Sequence, residues 1–245
     1  MKLIIANWKM NPASVAEARE LAKATDYKGT VLCPPFSFLE AVKGVIEKAR
    51  LGAQDLFWKN PTGPFTGEVS AAELKSLGVE YVIIGHSERR QLGETNEVIS
   101  QKLAAALEAG LMPVLCVGET LEQKNSGQKE KIISEQIKVA FGQLSKVKGQ
   151  MSGDVYVAVE PVWAISTNSG AEVDTPENTL KTIDFIKKEL LLLKISNVRF
   201  LYGGSVNSGN AESFLKHLAI EGALVGGASL KPEEMSKIMQ IANSQ

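Results

Sequence analysis

Short apolar runs alternate along the chain with longer segments whose apolar residues recur at helical spacing. The runs are Leu3–Lys9, Thr30–Pro35, Leu51–Phe57, Tyr81–His86, Met112–Gly118, Val155–Glu160, Val198–Gly203 and Ala223–Gly227. The clearest of them are almost continuously apolar, as strands buried on both faces are. Their starts lie roughly twenty to forty residues apart, room for a strand, a helix and two loops. Between them, Ser14–Ala24 carries Val15, Ala18, Leu21 and Ala22, a 3.6-residue pattern. The spacing predicts further helices over Glu97–Ala109, Glu130–Leu144, Glu177–Leu192, Asn210–Leu218 and Pro232–Ile241. Ser70–Gly78 reads as a short helix stopped by its glycine. Pro232 followed by Glu233 and Glu234 favours a helix start, through its fixed φ and through charge against the helix dipole.

Alternating β and α units imply a parallel sheet. Eight such units in about 250 residues match a closed (β/α)₈ barrel, with a doubly wound open sheet as the competing arrangement. There is no Pro/Gly/Ser-rich linker, low-complexity tract or break in composition, so residues 1–245 read as one barrel domain.

Composition narrows the function classes. The chain is 44% hydrophobic and 22% charged, which favours a sizeable core over disorder. A net charge of −1 argues against a nucleic-acid binder that relies on a large electrostatic term. No stretch approaches the ~18 apolar residues of a membrane helix. The N-terminal run Leu3–Ala6 is too short for a signal peptide, so a cytoplasmic protein is expected. Cys33 and Cys116 lie inside apolar runs and read as buried thiols. Two histidines and two cysteines without ligand spacing imply no metal. The absence of a Walker A sequence or a dinucleotide fingerprint implies no nucleotide cofactor.

In a barrel, chemistry sits where the strands end, and unusual polar residues fall there repeatedly. Glu160 closes the run Val155–Val159 and precedes Pro161, which blocks further ladder bonding. Alone it reads equally as a rim salt bridge or a general base. His86 closes Tyr81–Gly85 and precedes a helix start at Ser87. A helix N-terminus opposes an added positive charge, so a neutral imidazole is expected, able to donate a proton to an oxyanion and take it back. His217 reads as a surface or packing residue in a helix. Asn7 and Lys9 close the first run; the cation can stabilise developing negative charge, and Asn7 can orient it or bond a substrate oxygen. Gly203-Gly204-Ser205 and Gly226-Gly227 follow runs seven and eight, where barrel enzymes hold phosphate on backbone amides.

Together these residues resemble the triosephosphate isomerase family. The matching segments are Ala6-Asn7-Trp8-Lys9-Met10-Asn11, Phe65–Ser70, Ile84-Gly85-His86-Ser87-Glu88-Arg89-Arg90, Val159-Glu160-Pro161-Val162-Trp163-Ala164-Ile165, Tyr202–Val206 and Leu224–Leu230. They keep the family's order over almost the whole chain. The resemblance implies cofactor-independent interconversion of dihydroxyacetone phosphate and D-glyceraldehyde 3-phosphate. By it, Glu160 is the base, His86 the neutral electrophile, Lys9 the enediolate and phosphate cation, and Asn7 its support. Glu88 stands behind Lys9. Ser205, Gly226, Gly227 and the Ser166 amide bind phosphate, under a lid formed by residues 162–171. The resemblance also implies a homodimer through loop 58–68, with Thr66 and Glu68 retained.

Three segments depart from the family pattern. The lid tip carries Ser166 and Asn168 where glycines are usual, and Glu172-Val173-Asp174 is extra. Gln91-Leu92-Gly93-Glu94 is one residue short, and Asn60–Pro64 is longer and more proline-rich. The competing functions are a catalytically idle phosphate-binding barrel, suggested by the altered lid, and another phosphosugar barrel enzyme. The retention of Asn7, Lys9, His86 and Glu160 argues against the first, and Gly85–Glu88 with Val159–Trp163 against the second.

Overall fold

A computed structural model describes residues 1–59, 61–142, 155–165 and 171–245. Eight parallel strands close into a barrel in sequence order, and β8 pairs with β1. They are β1 (Leu3–Asn7), β2 (Thr30–Cys33), β3 (Arg50–Ala53), β4 (Tyr81–Ile84), β5 (Met112–Val117), β6 (Val155–Val159), β7 (Val198–Tyr202) and β8 (Gly222–Val225). Each falls on one of the eight apolar runs, but the polar ends of the runs lie beyond the ladder. The third run shows it most: β3 stops at Ala53, and Phe57 makes only an isolated bridge to Ser70.

The continuous apolar runs follow from burial on both faces. Ile5, Val31, Tyr81, Ile83, Val114, Cys116, Tyr156, Ala158, Leu201 and Leu224 form one buried cluster, which fills the barrel. The alternate residues, among them Ile4, Leu32, Val82, Ile84, Leu115 and Val157, form a second cluster with the apolar faces of the helices. The long helices are α1 (Val15–Ala24), α5 (Asn96–Glu108), α7 (Lys129–Gly142), α8 (Pro176–Leu192) and α10 (Pro232–Asn243). Between them lie the short α2 (Leu39–Lys43), α3 (Ala71–Ser76), α4 (Ser87–Gln91), α6 (Leu121–Asn125) and α9 (Ala211–Leu215). Capping boxes start α1 (Ser14 with Glu17), α3 (Ser70 with Glu73) and α6 (Thr120 with Gln123).

The helix expected over Asn210–Leu218 ends at Leu215, and His217 lies in the turn beyond it. Three bonds draw the backbone out of helix there. Glu221 N–H donates to Phe200 O at 2.7 Å as the chain enters β8, and Lys2 Nζ donates to His217 O and Ile220 O at 2.9 and 2.7 Å. Leu144, the expected end of α7, lies outside the described residues.

Candidate active site

The ends of β1, β4, β6, β7 and β8 converge on one cavity lined by Asn7, Lys9, His86, Glu160, Gly203, Gly204, Ser205, Gly226 and Gly227. Glu160 follows the last residue of β6, and its N–H still donates to Val117 O of β5 at 2.8 Å. The carboxylate is therefore fixed at a strand end, and the residue is only 2% exposed.

Gly85 determines how His86 reaches it. Its φ of +71° turns the chain sharply after β4, in a region that favours glycine. His86 then becomes the N-cap of α4, with Nδ1 accepting from Glu88 N–H at 3.3 Å. That bond occupies the Nδ1 lone pair and directs Nε2 to the other side. His86 Nε2 lies 2.9 Å from Glu160 Oε1. Ser87 N–H, the first amide of α4, donates to Glu160 Oε2 at 2.9 Å. Both carboxylate oxygens thus face groups at the end of β4.

This arrangement changes the expected state of the imidazole. Burial lowers the His86 pKa and Lys9 opposes a further charge, but Glu160, in contact, and Glu88 outweigh both and raise it. With Glu160 against it, His86 favours the protonated form more than an ordinary histidine does. The Glu160 carboxylate thus opposes the neutral state expected from the helix N-terminus, while the Glu88 N–H donated to Nδ1 favours it.

Lys9 stands just beyond β1 with a φ of +53°, uncommon for a residue with a side chain. Two side chains hold it there. Asn7 Oδ1 accepts from Lys9 N–H at 3.0 Å, and Gln54 Nε2 donates to Lys9 O at 2.8 Å. Lys9 Nζ meets Glu88 Oε1 at 2.6 Å, which ties the cation to the helix that begins after His86. Gly226 stands beside the Lys9 side chain, and Gly227, at the start of a 3₁₀ turn, has open space where a side chain would project. The Ser205 hydroxyl donates to Ala164 O at 2.8 Å, linking β7 to the segment after Glu160. Ser166 and residues 167–170 of the expected lid lie outside the described residues.

Three contributors escaped the sequence reading. Glu119, 1% exposed, accepts from Trp163 Nε1 at 2.8 Å, and its backbone carbonyl accepts from Val162 N–H at 3.1 Å. It closes an apolar run as Glu160 does, so the same signal marked it. Gln54 follows β3 in the same way. Gln136 sits inside α7 and carries no such mark. Among the described residues no cluster of three metal-binding side chains occurs.

A closed (β/α)₈ barrel that gathers a carboxylate, an imidazole and an ammonium group above glycine turns has the build of a barrel enzyme working by acid–base chemistry. Comparison with known proteins gives the family. A family model described as triosephosphate isomerase matches residues 2–242. The triosephosphate isomerase of Dictyoglomus turgidum is 43% identical, with 98% of each chain covered. That of Aquifex aeolicus is 41% identical over 97% of this chain and 98% of its own, and that of Rhodopirellula baltica 40% over 99% and 98%. The chain belongs to the triosephosphate isomerase family.

Proposed function

We propose that this isomerase interconverts dihydroxyacetone phosphate and D-glyceraldehyde 3-phosphate, with Glu160 carrying the proton between the two carbons. The observation that carries the reading is the buried Glu160 carboxylate held against His86 Nε2 and Ser87 N–H, on the rim that also bears Lys9. A proton α to a carbonyl is weakly acidic, so a base alone is insufficient. General acid–base help supplies about 10²–10⁴-fold, and preorganised donors to the enediolate oxygen add roughly 3–4 kcal/mol each. In this reading His86 Nε2 and Lys9 are those donors, Asn7 orients Lys9, and Glu88 holds its ammonium. Ser205, Gly226, Gly227 and the Ser166 amide receive the phosphate. A coupled assay starting from glyceraldehyde 3-phosphate tests the reading. Glu160→Asp should keep the fold and lose most of kcat; unchanged turnover would remove Glu160 from the role of base.

We also propose that residues 1–245 act as one barrel domain, in the cytoplasm, and pair as a homodimer through loop 58–68. Thr66 and Glu68 are exposed on that loop, and Phe65 is 38% exposed beside them. Met10 and Leu92 are 93% and 83% exposed, large apolar groups that a second subunit would cover. Sedimentation at micromolar concentration should give the dimer, and a monomer alone would refute it.

A further inference from the structure

We infer that Gln136, on α7, is a positioning residue for the catalytic base. The inference rests on the reading of Glu160 as that base. Its starting point is the hydrogen-bonding direction of successive residues in a parallel strand. Val117 O and Glu119 O face β6, where they accept from Glu160 N–H at 2.8 Å and Val162 N–H at 3.1 Å. The intervening residue, Gly118, therefore presents its N–H and C=O to the opposite side, toward β4. But β4 ends at Ile84, opposite Leu115, and turns away at Gly85. At Gly118 the ladder has no strand to continue it.

Gln136 takes the place of that strand. Gly118 N–H donates to its Oε1 at 2.9 Å, and its Nε2 donates to Gly118 O at 3.0 Å. One primary amide thus satisfies both groups of one peptide residue, and the glutamine is only 7% exposed. Gly118 in turn lies directly against the base. A Cβ built on it would fall 1.8 Å from Glu160 O and 2.6 Å from Glu160 C. No side chain intervenes, so a displacement of Gly118 passes straight to the Glu160 backbone. The line from α7 to the reacting carboxylate is Gln136, Gly118, Glu160.

None of these contacts involves the glycine turns or Lys9, which gives the inference a kinetic signature. Loss of the Gln136 amide should misplace the base without weakening phosphate binding. Gln136→Ala is a suitable variant, because Gly118 and Gln136 line a cavity of about 300 Å³ through which water can reach the exposed peptide groups and preserve the fold. We expect kcat to fall roughly tenfold or more, with KM within about twofold of wild type, where a neutral loss of stability would leave the kinetics of the folded fraction unchanged. Formamide, which carries the same donor and acceptor, should restore part of kcat in Gln136→Ala and leave wild type unaffected. A folded Gln136→Ala with wild-type kcat overturns the inference, and so does a loss expressed in KM. If Gln136→Ala does not fold, Gln136→Glu, which keeps the acceptor for Gly118 N–H, is judged by the same two criteria. Glu160→Gln separates the two claims. If it keeps turnover, the assignment of the base fails; if it is inactive while Gln136→Ala is unimpaired, only the role of Gln136 fails.

Discussion

Lys102→Met should destabilise the protein by about 3 kcal/mol, near the lower end of the range for breaking a buried ion pair. Lys102 lies on α5 with its side chain 4% exposed. Its ammonium bonds both oxygens of Asp55, at 2.6 and 2.7 Å, and also contacts Glu94, whose side chain is equally buried. Arg89 adds contacts of 2.6 Å to Asp55 and 3.2 Å to Glu94. Two carboxylates therefore share two cations, and methionine leaves them with one. Arg89 remains, which is why the lower end of the range applies. With a urea m-value of about 3 kcal/mol/M, the midpoint should fall by about 1 M. Equilibrium unfolding followed by circular dichroism, at one fixed protein concentration, measures it. The sign of the pH dependence is a second check. Burial already holds the Asp55 carboxyl above its ordinary value against the pull of Lys102, and removing the lysine raises it further. A carboxyl raised in the folded state costs stability while it is ionised and recovers it as pH falls through the folded pKa. The Lys102→Met deficit should therefore shrink as pH falls from neutral through the folded-state pKa of Asp55. Asp55→Asn should recover part of it in the double variant. A deficit below 1 kcal/mol, or one that grows on acidification, would refute the reasoning.

Two predictions concern the rim. In Gly118→Ala, the Cβ must move to at least 3.0 Å from Glu160 O, a displacement of about 1.2 Å, and kcat should fall about a hundredfold. Gly222→Ala meets the Leu3 carbonyl almost as closely, at 1.9 Å, where β8 starts, at the other end of the barrel. Both variants should melt at lower temperature, but only Gly118→Ala should lose turnover; equal kinetic losses would mean general damage. Glu160→Gln should lower the His86 pKa, because it removes the nearest charge that raises it and leaves burial and Lys9 to lower it. With only two histidines in the chain, nitrogen-15 NMR titration can separate His86 from His217; an unmoved His86 would show that Glu160 does not set its state.

The strands were legible because both faces of the sheet are buried, so Tyr81–Ile84 and Val155–Val159 read as unbroken apolar stretches. Some short helices were not. Phe36–Lys43 and Leu121–Asn125 contain helical pieces of about one turn, too little for a 3.6-residue period to show. Of these two only α6 had a readable sign, the Thr120 to Gln123 capping box. In the candidate site, residues at strand ends were visible as polar exceptions, which is how Asn7, Lys9, His86 and Glu160 were found. Gln136 was invisible for a physical reason. It matters through a single peptide 18 positions earlier, and nothing in a helical pattern indicates which carbonyl an inward-facing amide will meet. The influences on His86 were only half legible for a related reason. The helix N-terminus could be read locally, whereas the carboxylate that opposes it arrives from β6.

The two contacts of Glu160 make its position and the charge of His86 one variable. In the proposed reading, reaching a substrate carbon takes the carboxylate off Ser87 N–H, a charge-assisted bond worth about 1.5–3 kcal/mol. That same movement takes it away from His86 Nε2 and removes the largest influence raising the imidazole pKa. What remains at His86 is burial, Lys9 and the Glu88 N–H donated to Nδ1, all of which favour the neutral ring, opposed by the half-exposed Glu88 carboxylate. In the proposed reading, the movement that brings the base to the substrate therefore also favours the neutral imidazole that enediolate chemistry needs from an electrophile. A base fixed permanently at the substrate would not need Ser87 as a resting point. A base that swings does, and it requires the strand beneath it to stay still, which is the role we infer for Gly118 and the amide of Gln136 behind it.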